Sequence, residues 1–184
     1  MIQIRLSATN QDLGGIIDLQ QKNLKHVLSA DDIQQQGFVT VSHTLDDLEK
    51  MHQHEKNIIA TNDQHVIGYV LGMTEKSKND IPRLVEMYES FDQIFYGDKP
   101  VSRYNYVVVG QVCIDKDFRA KGLFRSCYDA YKDHFSTRYD FAITEIASNN
   151  FRSMAAHKSM GFKTIFTYTD KSDVQWNVVL WDWK

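Results

Sequence analysis

The residues best placed to do chemistry gather in the stretch Gly110–Phe135. A β-branched run, Val107-Val108-Val109 continuing to Ile114, leads into a short charged loop with Arg119, Lys121 and Gly122. Beyond Gly122, the residues Leu123, Cys127, Ala130, Tyr131, His134 and Phe135 fall on one helical face. Strand, basic turn and helix in that order describe an anion site. The first amides of a helix have no internal partner, and its dipole is positive there. Gly122 has no side chain and lets a phosphate approach the backbone closely. The stretch reads equally as an ordinary strand-to-helix turn that happens to carry Arg and Lys.

Other reactive side chains are less organised. His52 and His54 invite a metal reading, but positions two apart on a helix do not face each other, so both are expected at the surface. The two cysteines, Cys113 and Cys127, stand in neither a metal nor a redox spacing, which fits a reducing, intracellular compartment.

A chain of 184 residues fits one domain able to bury a core without staples. Hydrophobic content of 42% with 24% charged residues is ordinary for a soluble globular protein. The net charge is -3 and no Lys or Arg run forms a patch, which argues against nucleic acid as a partner. Met1–Arg5 lacks an apolar signal core and nothing downstream is long enough to span a membrane, so a cytoplasmic protein is expected.

The elements that must position the loop follow from patterning. Ile2–Leu6 alternates as a first strand, and Asn10 can cap a helix with Leu13, Ile16, Ile17, Leu24, Val27 and Leu28 on its apolar face. A polar segment, Ser29–Gln36, ends at Gly37. Leu45, Leu48 and Met51 mark a second helix with Asp46 and Asp47 at its positive end. Asn57–Thr61 and Val66–Met73 flank Asn62-Asp63 as a hairpin, with Gly68 and Gly72 marking a bulge or a close backbone approach. Asp80, Pro82 and the stripe Leu84, Met87, Tyr88, Phe91, Ile94, Phe95 predict a helix over 82–96, ended by Gly97, inside a helical insertion at about 75–105. Its acidic face (Glu86, Glu89, Asp92) is a solvated face or a lid over a pocket. Strand 141–147, a helix from Asn149-Asn150 to Met160, and strands 162–168 and 176–183 complete the chain. A mixed sheet covered on both faces is expected.

Two motifs then resemble the GNAT superfamily of acetyl-CoA-dependent N-acetyltransferases. The family loop Gln/Arg-x-x-Gly-x-Gly/Ala is matched by Arg119-Ala120-Lys121-Gly122-Leu123-Phe124 at Arg119 and Gly122, with Phe124 in place of a small residue and Ala120 where Gly is frequent. The motif Asn-x-x-Ser/Ala-x-x-x-Tyr/His-x-x-x-Gly-Phe is matched by Asn150, Ser153, His157, Gly161 and Phe162.

The resemblance implies a GNAT-like α/β fold over 1–184, with a mostly antiparallel sheet of about six to seven strands. It implies acetyl-CoA as acyl donor, its pyrophosphate on the amides of Arg119–Phe124 (Arg119, Ala120, Lys121, Gly122, Leu123, Phe124) with charge from Arg119 and Lys121. Its pantetheine arm would run along Val112, Cys113 and Ile114, with Asn150 and Ser153 opposite. His157 stands where the family places a Tyr that protonates the departing thiolate. For the general base, Glu145 and a water chain are equal candidates, and Glu145 reads first as a strand or rim residue outside the catalytic set. The activity implied is acetyl transfer to a primary amine on a small molecule or peptide by direct attack, with a homodimer as an open assembly. The alternative is a CoA-binding GNAT module that no longer catalyses and serves regulation.

Overall fold

The computed structural model describes residues 1–184, the side chain of Arg83 excepted. It opens with β1 (Ile2–Leu6), α1 (Asn10–Gln21), α2 (Ala30–Gln36) and α3 (Leu45–His54). The first cap is Thr9 rather than Asn10. Asp12 lies three residues after Thr9 and closes a capping box with it, side chain to amide in both directions. Thr44 and Asp47 repeat the device at α3. α1 stops at Gln21, so Leu24, Val27 and Leu28 lie beyond it, and Val27 is 56% exposed. The polar segment 29–36 folds as α2, capped by Ser29.

β2 (Ile58–Asn62) and β3 (His65–Met73) form the expected hairpin, turning through Asp63 and Gln64 in left-handed conformations (φ 46° and 71°). Gly72 marks both a register shift and a close approach: a Cβ there would lie 2.8 Å from the Lys56 carbonyl and from Phe135 Cζ.

The helix expected over 82–96 requires correction. The segment is α4 (Ser77–Asp80), a 3₁₀ turn, α5 (Val85–Ser90) and a two-residue hairpin of β4 (Phe95–Tyr96) and β5 (Lys99–Pro100) about Gly97 (φ 63°). Tertiary bonds explain the break. Tyr104 donates to the Tyr96 carbonyl, Tyr96 to Asp182 and Ser102 to Asp92, which holds the segment as a hairpin. Tyr88, Phe91 and Ile94 are buried as the stripe predicts, but Phe95 is 61% exposed.

β6 (Tyr106–Ile114), α6 (Leu123–Phe135), β7 (Phe141–Ala147), α7 (Phe151–Met160), β8 (Lys163–Thr169) and β9 (Gln175–Asp182) complete the fold. The seven-stranded sheet has the order β1-β2-β3-β6-β7-β9-β8, and β6–β7 is its one parallel pair among the described residues. α1, α3 and the 81–101 segment pack on one face through Leu13, Ile16, Leu48, Met51 and Phe91. α6 and α7 pack on the other through Leu123, Cys127, Tyr128, Tyr131, Phe135 and Met160. This is the mixed, mostly antiparallel sheet covered on both faces that the sequence implied.

Candidate active site

The parallel pair is short. Pairing of β6 with β7 stops at Val108↔Ile143, although β6 runs on to Ile114 and β7 to Ala147, so the two strands fork. Thr144 Oγ1 donates to the Val109 carbonyl at 2.8 Å and closes the base of the fork. β6 is bulged there: Val70 pairs with Val112 and Gly72 with Val109, leaving Gly110 and Gln111 opposite one residue. The opposite edge of β6, which faces the fork, has no strand partner beyond the Val108↔Ile143 pair.

A cleft of about 420 Å³ opens from the fork to the start of α6. Val112, Cys113, Ile114, Arg119, Ala120, Gly122, Leu123, Phe124, Asn150 and Ser153 all line it. Gly122 begins α6 at φ 80° with no side-chain cap, whereas side chains cap α1, α2, α3 and α7. The first amide of α6 to bond within the chain's own turn is Ser126, to the Gly122 carbonyl, so those of Leu123, Phe124 and Arg125 point out of the helix end. No heavy atom beyond the chain neighbours lies within 4 Å of where a Gly122 Cβ would sit. Uncapped helix, open glycine and cleft coincide.

The charged and polar motif residues serve the walls. Arg119 donates through Nε to the Ile114 carbonyl (2.8 Å) and through its terminal nitrogens to Asn23 Oδ1 (2.5 Å) and Gln36 Oε1 (3.4 Å). Lys121 turns back to the Asp117 carbonyl at 2.8 Å and does not line the cleft. Asn150 caps α7 by accepting from the Ser153 amide, and its Nδ2 donates to the Phe38 carbonyl at 2.9 Å. Phe124 turns its ring onto Tyr128 and His157, with centroids 4.9 and 5.6 Å away, which leaves its amide at the helix end. Cys113 is buried and its thiol is pushed up to about 12 by that burial, so it contributes backbone and wall.

The roof is a strap, residues 37–43, that lies outside both motifs. Gly37 permits the turn into it at φ 75°, and Val39 exchanges backbone bonds with Asn23 and Lys25. Gln20 and Gln111 then stitch the strap to both α1 and β6. Gln20 accepts from the His43 amide at 2.7 Å and donates to Gln111 Oε1 at 2.5 Å, and Gln111 Nε2 donates to the Val41 carbonyl at 2.9 Å. The local signal was Gly37 followed by Phe38-Val39-Thr40-Val41, but its partners lie far away in sequence.

Behind the main cleft a smaller chamber of about 80 Å³ lies between strap, fork and α7, lined by Val41, Gln111, Glu145, His157 and Trp176 among others. His157 is 2% exposed. Its Nδ1 faces the Ser153 carbonyl at 2.8 Å and its Nε2 the Tyr128 hydroxyl at 2.7 Å. Burial lowers its pKa to about 4, so at neutral pH it is the neutral ring with Nδ1–H donating to Ser153 and Nε2 accepting from Tyr128. The thiol-protonating role implied for it has no uncommitted N–H in this arrangement. Glu145 has the opposite character. Burial raises its carboxyl to about 7; Oε2 accepts from Tyr168 at 3.0 Å, while the buried Oε1 has no partner among the described residues. His52 and His54 bond to the Ser7 carbonyl and to Asp80, and no metal-binding cluster is present among the described residues.

A sequence model of the acetyltransferase (GNAT) family matches residues 27–162. No curated protein sequence matches the chain significantly. Among solved structures, smu.2055 from Streptococcus mutans UA159 superposes with a TM-score of 0.68 at 14% identity over 99% of each chain. The ribosomal-protein-S18-alanine N-acetyltransferase from Escherichia coli gives 0.64 at 12% identity, covering 99% of this chain and 94% of that one. A chain of the NatC complex, solved with Gag peptide and CoA, gives 0.65 at 10% identity over 100% and 99%. At such identities the likeness concerns the fold. No helix among the described residues is long and apolar enough to cross a membrane.

Proposed function

The chain belongs to the GNAT acetyltransferase family, and on that footing we propose that it transfers an acetyl group from acetyl-CoA to a primary amine by direct attack. The observation that carries this is the wall shared by two cavities: the cleft at the uncapped start of α6 and the chamber lined by Glu145 have Phe38, Val39, Val112, Asn150 and Ser153 in common. We take residues 1–184 to be one acetyltransferase domain of the cytoplasm, with 75–105 as its insertion.

Acetyl-CoA supplies the activated acyl group as a thioester. The amides of Leu123, Phe124 and Arg125, beside the open Gly122, hold the pyrophosphate, and Arg152 at the cleft wall adds charge. The bulged β6 edge at Gly110–Val112 pairs with the pantetheine arm and polarises the thioester carbonyl through a backbone N–H. Arg119 and Asn150 fix the walls that this path runs between. Glu145, poised near 7, accepts a proton from the entering ammonium. The amine nitrogen bonds to the acyl carbon as the carbon–sulfur bond breaks; the products are an N-acetyl amide, CoA thiol and one released proton. With His157 committed to Ser153 and Tyr128, water protonates the sulfur.

That same commitment of His157 favours the second reading, a CoA-binding module without turnover. Thiol release from acetyl-CoA across a panel of primary amines, with CoA affinity measured calorimetrically, separates the two. Amine-dependent thiol release is the expected result. CoA binding with no turnover on any amine would leave the module, and no CoA binding would reject both.

A further inference from the structure

The charges around the small chamber bear on which amine enters it, given the acetyl-transfer reading above. Among the described residues that line it there is neither Lys nor Arg, and its one histidine, His157, is held neutral. Val39, Val41 and Trp176 supply apolar wall. The single acid on the wall is Glu145, whose Oε1 is buried without a hydrogen-bond partner.

Toward the turn between β8 and β9 the next charge is also negative. Tyr168 bridges from Glu145 toward the turn between β8 and β9, where Asp170 accepts from Trp176 Nε1 at 2.9 Å and from the amides of Ser172 and Val174. The charge of Asp170 is felt at Glu145. Lys171, the cation on that turn, is paired with Glu86 of α5 at 2.8 Å. A ligand carboxylate placed next to the amine would lie beside Glu145 with no cation on the chamber wall to meet it. A second positive charge a few methylenes out would meet Asp170 and the ring of Trp176.

We propose that the acceptor is an aliphatic amine whose chain carries no carboxylate, and that aliphatic diamines are its best form. Free α-amino acids are excluded by the same wall. The geometry supports this in three ways: the unpaired Glu145 oxygen, the second carboxylate beyond it, and the lack of a basic side chain on the chamber wall.

Pairs of amines that differ only by the carboxylate test the assignment: 1,5-diaminopentane against lysine, and 1,4-diaminobutane against ornithine. The kcat/KM for each diamine should exceed that of its amino acid by at least about tenfold. Asp170→Asn should cut the preference for 1,5-diaminopentane over pentylamine several-fold, with CoA affinity as the control for folding. Equal kcat/KM within the pairs would overturn the proposal and leave acetyl transfer intact. The same pairs titrated calorimetrically into the CoA-loaded protein read the preference without turnover. An inactive protein that still prefers diamines would therefore refute the reaction and keep the acceptor class, and one that binds both members of a pair alike would refute the class.

Discussion

Ala120 lies at φ 58°, a left-handed backbone that costs an L-residue about 1–2 kcal/mol and glycine almost nothing. Part of that gain is offset by glycine's greater freedom in the unfolded chain, so Ala120→Gly should stabilise by about 0.5–1 kcal/mol. In a chain of this size that raises Tm by about 1–4 °C, readable by calorimetry. Gly122 is the opposite case. At φ 80°, with open space where its Cβ would go, Gly122→Val strains the turn and puts a branched side chain into the proposed phosphate cradle. CoA affinity should fall by about tenfold or more; wild-type affinity by titration would reject the cradle. His157→Phe should leave CoA affinity intact and lower kcat/KM by less than about tenfold, because the ring acts as wall and brace. A drop of about 10²–10⁴ in kcat and kcat/KM together would instead make it a proton donor.

At the level of elements, the parts legible in the sequence are those whose reasons are local. β6, the turn at Gly122 and α6 were readable because β-branched run, glycine and helical stripe follow one another within thirty residues. The α7 cap at Asn150 and its stop at Gly161 (φ 101°) were readable likewise. The 82–96 helix was misread although its stripe is real, since Tyr104, Ser102 and Asp182 outside that stripe dictate the hairpin about Gly97. The strap was invisible for the same physical reason: its fasteners, Gln20, Gln111 and Asn150, are remote in sequence. The two motifs mark Arg119, Asn150 and His157 but not what they bond to, and the structure commits all three to protein partners. Glu145, set aside on sequence as a rim residue, has the carboxyl most altered toward base chemistry because strand β7 carries it into the chamber.

For the molecule as a whole, Glu145 and His157 pull stability in opposite directions with pH. The carboxyl of Glu145 is raised from 4.5 to about 7, so the folded state holds its proton longer and this group's contribution falls as pH rises from about 4.5 to about 7. The ring of His157 is lowered from 6.5 to about 4; its contribution is full above 6.5 and is lost as pH falls toward 4. Glu145→Gln should therefore raise Tm at pH 8 relative to the parent and change it little at pH 4.5, while removing the rise in kcat/KM centred near pH 7 that the ionising carboxyl gives the parent. An unchanged pH–rate profile in that variant would acquit Glu145 of proton transfer. The fork has a mechanical consequence too. Among the described residues the ladder that joins the two parts of the sheet is confined to Tyr106–Val108 against Phe141–Ile143, and every strand before that seam comes from residues 2–114, every strand after it from 141–182. Cut in the loop between Phe135 and Phe141, the polypeptide should yield two fragments, each with its own antiparallel ladder. Co-expressed, they should find one another and restore CoA binding, making that loop the natural place to divide the protein into a two-piece reporter.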